Sequence, residues 1–259
     1  MKHVLIESGP SPVVHIVGAG PGDPELLTLK AHRLLREADV VIHDRLVTPA
    51  ILDLARPDAA VIAVGKQGFG PAWSQDDINA LMVSKAMTGA SVVRLKGGDP
   101  VVFGRLDEEL AALDRAGIHW EVVPGVTSAS ASAAAIGQSL TRRGRNSSVR
   151  LFTGHDVKGF AEQDWRALAA PGVAAAVYMG VRAATFLRGR LLMHGARAET
   201  PVTAVENASR PDERVIATTL IDLPDALADA APEGPVMILL GLAPRQAVAL
   251  AADMVREAL

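Results

Sequence analysis

The stretch RLKGGDP, Arg94 to Pro100, places two adjacent glycines and a carboxylate at the end of an apolar run. Gly97 and Gly98 leave backbone N–H and C=O groups bare, so a ligand can lie directly against the main chain. Asp99 can accept from hydroxyls or an amine, which suits a ribose or an amino-acid moiety better than a pyrophosphate. Gly-Asp-Pro occurs once more, inside VHIVGAGPGDPELLTL (14–29). Glycines 18, 20 and 22 there suggest a dinucleotide loop, but Asp23 stands where the last glycine of G-x-G-x-x-G is required. Asp23 as N-cap, Pro24 at the first helical position and Glu25 in the first turn already satisfy that helix end. A phosphate arriving there would meet two carboxylates, so a nicotinamide or flavin oxidoreductase is disfavoured.

Further charged groups follow other apolar runs. DVVIH leads to Asp44 and Arg45, AVIAV to Gly65 and Lys66, and VHIV to Gly18 and Pro21. In an open parallel sheet such carboxyl ends lie along one edge, where ligands of these folds bind. TRRGRNSSVR carries Arg142, Arg143, Arg145 and Arg150. It reads either as a solvated loop or as an anion receptor, since guanidinium forks hold carboxylates bidentately. Arg45, Lys66 and Arg105, also at expected loop ends, favour an acidic small molecule. The seven histidines show no i, i+4 pair and no HExxH, so no metal site is expected. His155 in TGHD reads as a turn histidine capping its own loop. No G-x-S-x-G elbow is present; PGVTS (124–128) is the nearest candidate.

The elements that must position these groups alternate through the first half. Strands are expected at 13–17, 39–43, 59–64, 91–95 and 118–123. Helices are expected near 24–38, at PAILDLA, at SQDDINALMVSKAMT and near 107–116. Near-continuous apolar strands alternating with helices predict a mostly parallel sheet covered on both faces. After Pro124 and Gly125 comes a small-residue helix, VTSASASAAAIG, and the domain boundary is placed here: 13–125 and 126–259. The second half is expected to hold strands near 148–153, 173–178, 201–205, 214–219 and 235–240, with a hairpin between 201 and 219 in a mixed sheet.

Composition narrows the classes further. The chain has 259 residues, no cysteine and a net charge of −3. Disulfides and thiolate chemistry are excluded, a cytoplasmic location is expected, and no global charge calls for nucleic acid or an anionic membrane. No run of eighteen apolar residues predicts a spanning helix, and the first dozen residues are too polar for a signal peptide.

VGAGPGDPELLTLKA, HDRLV, VGK, VVRLKGGDPVVFGR, VVPGVTSA, TGH, YMG and TPVTAVENAS stand in the order and spacing of uroporphyrinogen-III C-methyltransferases, of the tetrapyrrole methylase superfamily. The resemblance covers about residues 13 to 242. It implies two α/β domains with S-adenosylmethionine in the cleft between them, and a homodimer. By resemblance, Pro21, Gly97, Gly98, Asp99, Val102, Thr127, Ser128, Met179 and Ala208 hold the cofactor and its product S-adenosylhomocysteine. Asp44 matches the family's proton acceptor and Lys66 its proposed donor. Arg45, Arg105, Arg142 and Arg143 are expected to receive the acidic arms of a tetrapyrrole.

The implied reaction is two methyl transfers to uroporphyrinogen III, giving precorrin-2; the alternative keeps the fold and methylates a later precorrin. A binding protein without turnover is disfavoured by the presence of both Asp44 and Lys66. Three departures fall on the expected substrate side: FGRLDEE for FGRGGEE, QGFGPAWS after Lys66, and LTRRG for LTHRG, which puts Arg142 in the place of a histidine.

Overall fold

Apolar, β-branched runs become the parallel strands of the first half. The computed structural model describes residues 14–65, 73–156 and 159–246, which group into one unit ending at Thr127 and a second starting at Ser128. In the first unit, strands β1 (Val14–Gly18), β2 (Val40–His43), β3 (Ala60–Ala63), β4 (Val92–Lys96) and β5 (Trp120–Val123) form one sheet in the order β3-β2-β4-β1-β5. Every pairing in it is parallel. Helices α1 (Leu29–Glu37), α2 (Pro49–Leu52), α3 (Gln75–Ala86) and α4 (Leu106–Arg115) connect the strands. Alternating side chains of the sheet feed two cores. Val17, Val41, Val93 and Leu95 pack with Leu34 and Leu35 of α1. Ile16, Ile42 and Val92 pack with Ile78 and Met82 of α3 and Leu113 of α4. The neighbours β1 and β4 thus send their chains to helices on opposite faces. Their carboxyl ends form the switch point of the sheet, where crevices open in such folds.

The single helix expected near 24–38 is divided. Asp23 accepts from the Glu25 amide at 2.8 Å and opens only a short 3-10 turn, Pro24–Leu26. Leu27 is extended (φ −65°, ψ 141°), and Thr28 starts α1 afresh by accepting from the Ala31 amide at 3.1 Å. A second capping side chain within the run is the cause.

The second unit opens with α5 (Ser128–Ala135) and holds strands β6 (Arg150–Thr153), β7 (His155–Asp156), β8 (Gly159–Phe160), β9 (Ala175–Tyr178), β10 (Pro201–Glu206), β11 (Arg214–Thr219) and β12 (Val236–Leu240), with helices α6 (Trp165–Leu168), α7 (Ala184–Met193) and α8 (Leu223–Ala230). Its main sheet runs β11-β10-β12-β9-β6. The β6–β9 pair is parallel and the rest antiparallel, so the sheet is mixed as expected. The expected hairpin is β10–β11, with Pro201 opposite Thr219. Phe152, Val177, Leu187, Leu191, Leu227 and Ile238 lie in its core. Among the described residues no helix is long and apolar enough to cross a membrane.

Candidate functional site

Three glycines meet at the switch point of the first unit. A Cβ built on Gly125 would lie 2.3 Å from the Gly98 carbonyl oxygen and 2.9 Å from Gly18 Cα; one built on Gly18 would lie 2.5 Å from the Gly125 nitrogen. Only glycine fits at such approaches. The loops after β1 and β4 are stitched together as well: the Gly98 amide donates to Gly20 O at 2.7 Å and the Gly20 amide to Gly98 O at 3.1 Å. Thr48 Oγ1 donates to Gly22 O at 2.8 Å, drawing in the loop after β2. The expected Pro21, Gly97, Gly98 and Asp99 are thereby gathered on one rim, with Pro21 buried and the other three half-buried.

Asp44 is tied to that rim through both carboxylate oxygens. Oδ2 accepts from the Gly97 amide at 3.1 Å and Oδ1 from the Leu46 amide at 2.9 Å. Gly97 is needed for this approach, since a Cβ there would lie 2.5 Å from Leu46 Cβ. Asp99 spends one oxygen on its own turn, accepting from the Val101 amide at 3.1 Å, while the Val102 amide donates to Asp99 O. The loop continues through Phe103 and Arg105 at φ of 51° and 55°, a conformation that costs on the order of 1–3 kcal/mol each and clusters at ligand clamps. Arg45 is exposed, with its stem lying across Gly65. Arg105, expected to meet substrate, grips Glu108 in a fork of 2.7 and 2.6 Å. That contact raises the guanidinium's proton affinity and holds the Glu108 carboxyl below its usual range. Lys66 lies outside the described residues.

Beneath the rim sits an ion triad that the sequence reading missed. Arg94 and Lys96 of β4 are 3% and 5% exposed, and Glu109 of α4 is fully buried. Lys96 Nζ donates to both Glu109 oxygens at 2.9 Å, and Arg94 Nε donates to Oε1 at 2.9 Å. Arg94 Nη1 also donates to Ile42 O and Leu95 O. Burial pushes the Lys96 ammonium below the usual lysine range, and Arg94 pushes the same way; Glu109 and Asp44 oppose the shift. A signal was present: two cations in a strand expected to be buried on both faces require partners, and FGRLDEE offers acids on the next helix.

The second unit carries the other expected positions. Ser128 begins α5, while Thr127 closes the first unit. Met179 follows β9 at φ 53° and is 54% exposed. Ala208 is buried between Asn207 and Ser209, at φ of 53° and 70°. Glu206 underpins that turn, accepting from the Glu233 and Gly234 amides at 2.8 and 2.7 Å and from Arg214 at 2.7 Å. Arg142 and Arg143 are exposed, whereas Arg145 is spent on Ser139 O, Leu140 O and Asn146. His155 Nδ1 meets Gly159 O at 3.2 Å across the β7–β8 hairpin, the turn-capping role expected of it.

A glycine-lined switch point in a five-stranded parallel sheet, together with a mixed-sheet unit, defines a two-part α/β protein. Residues 13–224 match the model for Tetrapyrrole (Corrin/Porphyrin) Methylases, and the chain belongs to that family. Among its relatives is the sirohaem synthase of Chromobacterium violaceum, 47% identical over 228 residues, which are 88% of this chain and 48% of that protein. The sirohaem synthase of Gluconacetobacter diazotrophicus is 45% identical over 250 residues, 96% of this chain and 53% of that protein. The chain therefore spans about half the length of these relatives. Among solved structures, the uroporphyrin-III C-methyltransferase of Thermus thermophilus complexed with S-adenosylhomocysteine is 41% identical (TM-score 0.75; 88% of this chain, 91% of that one). A cobalt precorrin-4 methyltransferase of cobalamin biosynthesis is 31% identical (TM-score 0.78; 88% and 94%).

Proposed function

We propose that this chain is an S-adenosylmethionine-dependent C-methyltransferase that converts uroporphyrinogen III to precorrin-2 by two methyl transfers. The observation that carries the reading is Asp44, a carboxylate fixed by two backbone amides beside the bare Gly97–Gly98 main chain. The Thermus thermophilus relative, similar over nearly its whole length, supports it. The rim fits the cofactor: Gly97 and Gly98 present main chain without side chains, and Asp99 keeps a second oxygen for a hydroxyl or ammonium. Pro21, Val102, Thr127, Ser128, Met179 and Ala208, which the family resemblance implies, complete the proposed binding set; the proposed domains are 13–125 and 126–259. The cofactor supplies a sulfonium methyl that is already activated.

What remains for the protein is alignment and charge. Positioning a bound pair for in-line attack replaces a costly encounter. Asp44 faces the positive charge that develops on the pyrrole as its carbon attacks, and a carboxylate held before the reaction needs no reorganisation. It then takes the proton, with Lys66 as the proposed donor. Arg45, Arg142 and Arg143 receive acetate and propionate arms; Arg105 contributes only where substrate displaces Glu108 from its fork. The proposal extends to a homodimer in the cytoplasm. Incubation with enzymatically made uroporphyrinogen III and labelled methyl donor tests the reading. A product carrying two labelled methyl groups is expected; label incorporation only into a later precorrin, or none, overturns it.

A further inference from the structure

The triad of Arg94, Lys96 and Glu109 has no part in the proposed transfer. Its members are nearly or wholly out of solvent and carry one positive charge in excess. Such an arrangement is a poor way to stabilise a core, because apolar residues of similar volume do as well or better. The excess charge points toward a counter-charge, and the β2–β4 ladder supplies one. That ladder pairs Ile42 with Arg94 and His43 with Leu95. Asp44 and Lys96 are the residues that directly follow this last pair, Asp44 just past the end of β2 and Lys96 at the end of β4. Side chains alternate along a strand, so Lys96 belongs with Val92 to the face that packs against α3 and α4. Gly97, the residue after Lys96, donates its amide to Asp44.

We propose that Lys96 is a positioning residue for Asp44: its ammonium, anchored by Glu109, holds the carboxylate as the outer member of a charge chain Arg94–Glu109–Lys96–Asp44. Charges alternate along the chain and sum to zero. α4 fixes its inner end, and the rim of the site carries its outer one. Lys96 touches no substrate in this scheme; it acts through Asp44, and with Lys96 buried and Asp44 half-buried salt screens the interaction only in part. The kinetic part of the inference rests on the methyltransferase reading.

A double-mutant cycle over Lys96→Met and Asp44→Asn tests the coupling. Lys96→Met leaves a balanced Arg94–Glu109 pair behind, and Lys96→Gln replaces it in the cycle if that variant does not fold. Single-turnover transfer is expected to fall about tenfold or more in Lys96→Met, with S-adenosylhomocysteine affinity within about threefold of wild type. In the Asp44→Asn background, Lys96→Met adds no further loss. Lys96→Arg, which keeps the charge, restores most of the rate. Urea unfolding of the same four proteins is expected to be non-additive by about threefold or more in the unfolding constant. Additive effects in both measurements, or Lys96→Arg no better than Lys96→Met, overturn the proposal. If wild type transfers no methyl to uroporphyrinogen III, the functional reading fails by itself. The unfolding cycle then decides the Lys96–Asp44 coupling, which additivity refutes.

Discussion

The rim of the parallel sheet and the arginine loop at 139–150 are both dense in charge and are built on opposite terms. At the rim Asp44, Lys96 and Asp99 are tied down: Asp44 by two amides, Lys96 by both oxygens of Glu109, Asp99 by its own turn. In the loop Arg145 is committed to two carbonyls and Asn146 and Arg150 pairs with Asp164, while Arg142 and Arg143 are exposed. Fixed charges in a partly dry site act strongly on a reacting centre. Exposed arginines act by attraction, weakened over a Debye length of about 8 Å at physiological salt. The difference suits the first region to the proposed chemistry and the second to the proposed capture of an acidic substrate.

The contrast can be broken most severely at Glu109. Glu109→Gln leaves two buried cations without their carboxylate and is expected to cost about 3–5 kcal/mol of stability, read by urea unfolding; a loss under about 1 kcal/mol would show the triad to be loosely held. Gly125→Ala forces a methyl into the backbone of Gly98 and Gly18. It should cost about 3 kcal/mol, the upper part of the overpacking range, and abolish S-adenosylhomocysteine binding in calorimetry. A variant with unchanged stability and affinity would mean the three loops separate freely.

Asp44→Asn sharpens the comparison at the level of chemistry. Single-turnover transfer should fall on the order of a hundredfold while S-adenosylhomocysteine affinity stays nearly unchanged, and an undiminished rate would move the electrostatic role elsewhere. Asp99→Ala should weaken S-adenosylhomocysteine by about 1–2 kcal/mol, with NAD and FAD not binding either protein; equal affinity in mutant and wild type removes Asp99 from the site. The smallest effect is expected at the loop. Arg142→Ala should raise the substrate KM a few-fold at low salt, on the order of 1 kcal/mol or less, and the difference should vanish as salt rises. Arg142→His should be milder. Three superimposable salt titrations would identify the loop as a solvated surface with no part in capture.

Sequence alone determined much of this protein. Continuous apolar runs between amphipathic helices specify the parallel sheet, and the turn residues after them specify where loops gather. Asp23 and Pro24 make a capped turn, here a 3-10 turn, and the 201–219 spacing makes a hairpin. These features are local, set by periodicity and by residues a few positions apart. Tertiary structure decided what depends on which strands become neighbours. Only the placing of β4 between β2 and β1 brings Gly97 to Asp44 and Gly98 to Gly20. Only the packing of α4 over that face delivers Glu109 to Arg94 and Lys96, and with it a reason for two cations in a buried strand. Arg105 shows the same limit: FGRLDEE displays an arginine and three acids, but the left-handed turn at Arg105 is what hands its fork to Glu108. A charged side chain chooses its partner by distance and desolvation, and both are set by the assembled fold.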